Sequence, residues 1–241
     1  MDKFYITSLD PAQLHDYSAL AVLECMPGAG AEKADNVYRL VSLKRKQKLP
    51  YPEIVSWSRR VFLNPKFQQS VGVSPPQFVI DAGGVGRALL DMLIAEGLKP
   101  IPIQLTGGEA ESCVGGTYHV SKSFMVGKFL AAWDAGRVQV PATASFLPIL
   151  ENELKAFRGA MTSQGRAKFE AEQGEHDDLV MALAQAVWYF ERHKQREMPR
   201  LIFSGATKPG PGPGGSDWFS EAARYHGGGG EFLGGIRHRP Y

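Results

Sequence analysis

The sequence predicts an α/β fold, a mixed β-sheet with helices on both faces. Three observations carry the prediction. Three strand-like segments follow one another at the start of the chain with short gaps, the pattern of an antiparallel meander. Short apolar strands then alternate with segments of helical spacing, the order of strand–helix units. The later part of the body is rich in helical patterns, so both faces of such a sheet can be covered.

Phe4–Leu9 reads as the first strand because it is rich in β-branched and aromatic residues. Leu20–Cys25 and the alternating segment Asn36–Leu43 read as the second and third. Pro52 opens a helix whose apolar residues Ile54, Val55, Trp57, Val61 and Phe62 recur near helical spacing. Gln77–Ile80 is a short apolar strand. Arg87–Glu96 is a helix closed by Gly97. Pro100–Leu105 is a strand that its two prolines place towards a sheet edge. Helices are expected from Ser121 to near Gly136 and from Phe146 to Phe157, the latter with Pro148 in its first turn. Asp177–His193 carries the clearest helical pattern, and no solenoid-length repeat is evident.

The chain has 241 residues, 44% of them hydrophobic and 22% charged, which fits one globular domain with or without a tail. Cys25 and Cys113 are too few for a disulfide scaffold or a four-thiolate zinc site. No apolar run approaches the ~18 residues of a membrane helix, and the N-terminus lacks a signal-peptide core. A soluble, reducing compartment such as the cytoplasm is expected. The formal charge of +2 hides an asymmetry. Residues 1–193 hold 20 Lys+Arg and 21 Asp+Glu, whereas residues 194–241 hold 7 and 4. The second segment also contains 11 of the 27 glycines, in runs such as Pro209–Gly215 and Gly227–Gly230. It reads as a flexible basic tail, either a solvated extension or an arm that touches nucleic acid through Arg224, Arg237, His238 and Arg239. The basic run Lys44-Arg45-Lys46-Gln47-Lys48 reads, taken alone, as a charged loop rather than a DNA contact.

Chemistry concentrates in aspartates. Asp10 directly follows the first strand, Asp81 directly follows Phe78-Val79-Ile80, and Asp177 and Asp178 open the last helix. Singly, such residues start turns or cap helices. Together, strand ends and a helix start can converge at one sheet edge. Carboxylates gathered there repel unless cations neutralise them. Hard divalent ions prefer oxygen ligands, and a pair of ions suits phosphodiester cleavage. Competing motifs are absent: Asp81-Ala82-Gly83-Gly84-Val85-Gly86 lacks the dinucleotide spacing, and no Walker-type phosphate loop or G-x-S-x-G elbow occurs. His119, His176 and the cysteines lack zinc-site spacing.

Several stretches resemble the nuclease domain of tailed-phage terminase large subunits. They are Ser8–Glu24, Val79–Gly86 with the later Leu105-Thr106-Gly107-Gly108, Val120-Ser121-Lys122, Leu150–Phe157 and Gly174–Ala184, covering roughly residues 3 to 193. The order of the aspartates, with His176-Asp177-Asp178 at a helix start and the intervening Thr-Gly-Gly, is more specific than the acids alone.

The resemblance implies a ribonuclease-H-like fold and a Mg²⁺- or Mn²⁺-dependent endonuclease that uses two divalent cations to cut double-stranded DNA during genome packaging. Asp10, Asp81 and Asp178 match the metal-ligand positions. Asp177 joins the site or caps the helix. Asp16 and His176 are supporting residues, and Lys122 either meets a phosphate or is a surface lysine. A packaging ATPase, a portal and a small terminase subunit are the implied partners, without a membrane. Pro11-Ala12 departs from the glycine turn of many relatives. The ATPase motor of full-length terminases has no counterpart here, so the chain is expected to be a separate nuclease subunit or a piece of a longer protein. Two other readings share the acids: a resolvase or RNA–DNA hybrid nuclease, and a non-catalytic module of a packaging complex.

Overall fold

The computed structural model describes residues 3–12, 16–28, 36–68, 75–108, 111–141, 144–163 and 176–197. β1 (Phe4–Asp10), β2 (Tyr17–Met26) and β3 (Val37–Gln47) form the expected antiparallel meander. On its other side β1 pairs in parallel with β4 (Gln77–Asp81), and β4 pairs in parallel with β5 (Ile101–Thr106). A hairpin of β6 (Glu111–Val114) and β7 (Thr117–Ser121) continues the sheet, with β7 parallel to β5. A short β8 (Val138–Gln139) runs parallel to β3. Among the described residues the order is β6-β7-β5-β4-β1-β2-β3-β8.

Helices cover both faces, as the sequence predicts. α1 (Tyr51–Phe62) and α3 (Gly86–Ala95) close one core with Leu9, Leu20, Phe78 and Ile80; a short α2 (Pro65–Gln68) follows α1. α4 (Lys122–Asp134), α5 (Leu147–Ser163) and α6 (Asp178–Glu197) close the larger core with Phe4, Ile6, Ala21, Leu23 and Val79. Strand side chains alternate, so β1 sends Phe4 and Ile6 to the α6 face and Leu9 to the α1 face. α6 is apolar on all sides because it lies between the sheet, α4 and α5; Asp178 through Glu191 are all buried. Ser121 caps α4, its hydroxyl accepting from Phe124 N at 3.3 Å. Pro148 sits in the first turn of α5, where its missing N–H costs nothing.

Two expectations are corrected. β5 is not an edge strand: it lies between β4 and β7. Ile103 O accepts from Ala82 N at 2.6 Å, so Ile103 faces β4 with its polar groups and the missing N–H of Pro102 turns the other way. Pairing with β7 begins only at Ile103, so no neighbour requires that N–H. Lys44–Gln47 is not a loop but the end of β3, paired with Leu20 down to Tyr17 of β2. The β6–β7 hairpin went unpredicted, although Gly115-Gly116, with φ of 57° and 81°, is the two-residue turn such hairpins use. The expected basic tail, from residue 198 onward, lies outside the described residues; α6 itself extends to Glu197.

Candidate active site

The geometry begins with two parallel strand ends. Leu9 lies opposite Ile80, so the next residues, Asp10 and Asp81, end their strands side by side. Asp10 shares the parity of Ile6, and Asp81 that of Val79, so both carboxylates face α6. Asp178 is the first residue of α6 and Asp177 precedes it. Burial pushes the Asp10 carboxyl well above its usual range, and the charges of Asp81, Asp177 and Asp178 push it the same way, opposed by Lys122. Burial also raises Asp81, which a bond from Gly83 N at 2.8 Å and the charge of Lys122 counteract. Burial raises Asp178 to about 6, with Asp177 and Asp16 adding to the rise and His176 and Arg45 opposing it. The four sequence-predicted acids therefore share one electrostatic neighbourhood, with Asp16 exposed at its margin.

The turns that deliver these acids are locally enforced. After Asp10, the Ser18 hydroxyl accepts from Ala12 N at 3.1 Å and fixes Pro11-Ala12 without a glycine. After Asp81, Gly86 enters α3 so close that a Cβ there would lie 1.8 Å from the Asp81 carbonyl oxygen. Only glycine fits that approach.

The supporting residues separate. Lys122 Nζ donates to Asp177 Oδ2 at 2.5 Å, so it neutralises the acid cluster from the start of α4. His176 packs edge-on against Tyr17 and places Nδ1 3.9 Å from Asp178 Oδ2.

Three further residues build the site, and only the first lies in a stretch whose sequence resembles the terminase nucleases. Glu153 of α5 is buried and accepts from Leu179 N at 2.9 Å and Val180 N at 3.0 Å, capping the turn that carries Asp178. Arg45 donates to Glu153 Oε1 at 3.3 Å, stands 3.8 Å from Asp178 Oδ2 and lies 4.1 Å over the Tyr17 ring. Gln185 donates to Asp10 Oδ1 at 3.4 Å and accepts from Ser8 Oγ at 3.4 Å. An apolar helix pattern conceals Gln185, and a basic run conceals Arg45; strand alternation at residues 43–47 is the signal that would have turned Arg45 inward.

The donor set fits hard divalent cations. Asp178 Oδ2 is buried and has no hydrogen-bond partner among the described residues; the Arg45 guanidinium stands 3.8 Å away and the His176 ring 3.9 Å away. Asp10 is half-buried, with the charges of three other acids acting on it. Both conditions are relieved by positive charge supplied from outside the chain. The carboxylates do not form a closed cage: among the described residues no three His, Cys, Asp or Glu groups stand close enough to hold one ion. Each instead turns to a partner of its own, Asp177 to Lys122, Asp81 to Gly83 N and Asp10 to Gln185.

A β3-β2-β1-β4-β5 centre with helices on both faces defines a ribonuclease-H-like domain. The family model of the terminase RNase H-like domain matches residues 7–190, and the chain belongs to that family. It is 26% identical over 190 residues to the terminase large subunit of Thermus virus P23-45, covering 79% of this chain and 32% of the relative. It is 25% identical over 198 residues to the terminase large subunit of Thermus phage G20c, with the same shares. The chain thus spans about a third of the length of these curated relatives. Among solved structures it is similar to the large terminase nuclease of thermophilic phage G20c, with a TM-score of 0.53 and 23% identity over 77% of this chain and 81% of that one. The same nuclease with bound magnesium gives a TM-score of 0.54 and 22% identity over 78% and 82%.

Proposed function

We propose that the chain is a Mg²⁺- or Mn²⁺-dependent DNA endonuclease of the terminase type, which cuts concatemeric viral DNA during genome packaging. The observation that carries this reading is the side-by-side ending of β1 and β4 in half-buried Asp10 and Asp81, within the charge field of Asp177 and buried Asp178, an arrangement that repels itself without added cations. The magnesium-bound relative of the same fold supports it.

Asp10, Asp81 and Asp178 would hold two ions, with Asp177 joining them or remaining with Lys122. When bound, the ions supply a water nucleophile activated near neutral pH and stabilise the departing 3′ oxygen. The chain's own residues do the positioning. Glu153 fixes the first turn of α6 and hence Asp178; Gln185 orients Asp10; the Gly83 N–H orients Asp81. Lys122 lies within the acidic neighbourhood and can meet a phosphate oxygen when Asp177 turns to a cation. Contacts of this kind engage the backbone rather than base edges, so cleavage shows little sequence preference; the likeness to the terminase nucleases implies 5′-phosphate and 3′-hydroxyl ends. A packaging ATPase, a portal and a small terminase subunit are the proposed partners, in the cytoplasm of an infected host.

Plasmid cleavage in Mg²⁺ or Mn²⁺ tests the reading. Asp81→Ala should abolish cleavage and leave the circular dichroism spectrum unchanged. Undiminished cleavage by that variant removes the assignment. Preference for four-way junctions or RNA–DNA hybrids over linear duplex would redirect it to a resolvase or hybrid nuclease.

A further inference from the structure

The acids account for one part of the sheet edge, and a run of cations occupies another. Asp10 lies opposite Ala19 and Ala19 opposite Arg45, so acid and guanidinium belong to one row across β1, β2 and β3. Two strand spacings, about 10 Å, separate the ends of that row. β3 then runs on past Arg45 through Lys46 and Gln47, and Lys48 follows, all at the edge where β1 ends in Asp10. Lys44, Lys46 and Lys48 are exposed. None of the three forms an ion pair with a carboxylate among the described residues. By contrast Lys3, Arg39, Arg59, Arg87, Lys122 and Lys128 each reach an acid. Lys46 is also held, its ammonium 4.9 Å over the Trp57 ring, and Arg45 is fixed over Tyr17.

Four cations within five residues repel one another, and no acid of the described chain offsets three of them. A polyanion does. Lysine ammonium groups on a strand end suit phosphate oxygens as point charges and carry no bidentate geometry for base edges. They share the sheet edge with Asp10, but Lys44 and Lys46 alternate with Arg45, so they turn to the α1 face, Lys46 onto Trp57, beside the cleavage centre rather than on it. They add positive potential along an edge whose acids alone would repel an incoming phosphate.

We propose that the end of β3, presenting Lys44, Lys46 and Lys48, is a binding ledge for the sugar–phosphate backbone of duplex DNA flanking the scissile bond. The proposal rests on the nuclease reading and adds to it the surface that holds the substrate.

The test is a salt titration of binding, measured by fluorescence anisotropy with the full chain and a short labelled duplex in EDTA. Every lysine that ceases to neutralise a phosphate makes the slope of log K against log salt shallower by about 0.9. The triple variant Lys44→Gln, Lys46→Gln, Lys48→Gln should therefore flatten the slope by about 2.7. The change should be equal on two unrelated sequences, with an unchanged melting temperature. Lys99→Gln, at the opposite edge just before β5, should keep the wild-type slope. A triple variant with the wild-type slope, a change confined to one sequence, or a wild-type chain that binds no duplex overturns the ledge. Plasmid cleavage by the wild-type chain is a separate readout, so the nuclease reading stands or falls independently.

Discussion

Replacing Glu153 by alanine probes how the acid-bearing turn of α6 is held. An α-helix leaves the N–H groups of its first turn without intrahelical acceptors. In α6 two of them, Leu179 N and Val180 N, donate to Glu153 Oε2 at 2.9 and 3.0 Å, and Arg45 donates to Oε1 at 3.3 Å. Alanine removes all of these hydrogen bonds at a position only 5% exposed. Loss of a cap costs about 1 kcal/mol, and loss of a buried charge-assisted bond about 2 kcal/mol. A total of about 3 kcal/mol corresponds to a fall of roughly 6–12 °C in melting temperature for a domain of this size. The sign of the pH dependence is also fixed. Burial raises the Glu153 carboxyl from 4.5 to about 7, so the folded chain keeps a proton that the unfolded chain has lost between those values. The stabilisation from Glu153 is therefore fully present below pH 4.5 and shrinks as pH rises through about 7. Urea unfolding in EDTA at pH 5.5 and pH 8 should show the larger alanine penalty at the lower pH, with an unchanged m-value. Glu153→Gln, which keeps an acceptor for α6, should cost less than alanine. A penalty below about 0.5 kcal/mol, or one that grows with pH, would refute the capping role.

Three further outcomes follow from the same geometry. Asp10→Asn removes one charge from a crowded, partly buried group of acids and keeps the oxygen that accepts from Gln185, so it should raise the melting temperature in EDTA while abolishing cleavage; a lower melting temperature contradicts the crowding of charge. Because burial raises Asp178 from 3.8 to about 6, stability without divalent ions should fall as pH rises through that window, and Mn²⁺ should lessen the fall; thermal melts at pH 4.5 and 7 with and without Mn²⁺ check the sign, and a metal-independent profile counts against the site. Gly86→Ala places a Cβ 1.8 Å from the Asp81 carbonyl oxygen and should cost about 2–3 kcal/mol, whereas Gly84→Ala meets nothing within 4 Å and should cost about 1 kcal/mol for its φ of +50°; equal costs in urea unfolding would show that the close approach is relieved cheaply.

Elements with a single dominant pattern were legible in the sequence: the meander, the apolar β4 strand, and α6 with its run from Leu179 to Phe190. The grouping of Asp10, Asp81, Asp177 and Asp178 was legible because strand ends and a helix start are local features that topology brings to one edge. Proline rules misplaced β5, since they concern a missing donor and Pro102 lies where no neighbour needs one. In the sequence the charge of the run around Arg45 outweighs the alternation of its strand and mimics a loop. Glu153 and Gln185 act across 26 and 175 residues of sequence, on Leu179 and Asp10 respectively, and periodicity carries no record of such partners.

The most direct measurement is anomalous diffraction from crystals soaked in Mn²⁺. Two peaks about 3.5–4 Å apart, bounded by oxygens of Asp10, Asp81 and Asp178 at about 2.0–2.6 Å, are the expected result. Peaks elsewhere on the chain, or none beside these carboxylates at saturating Mn²⁺, would contradict the metal-dependent nuclease.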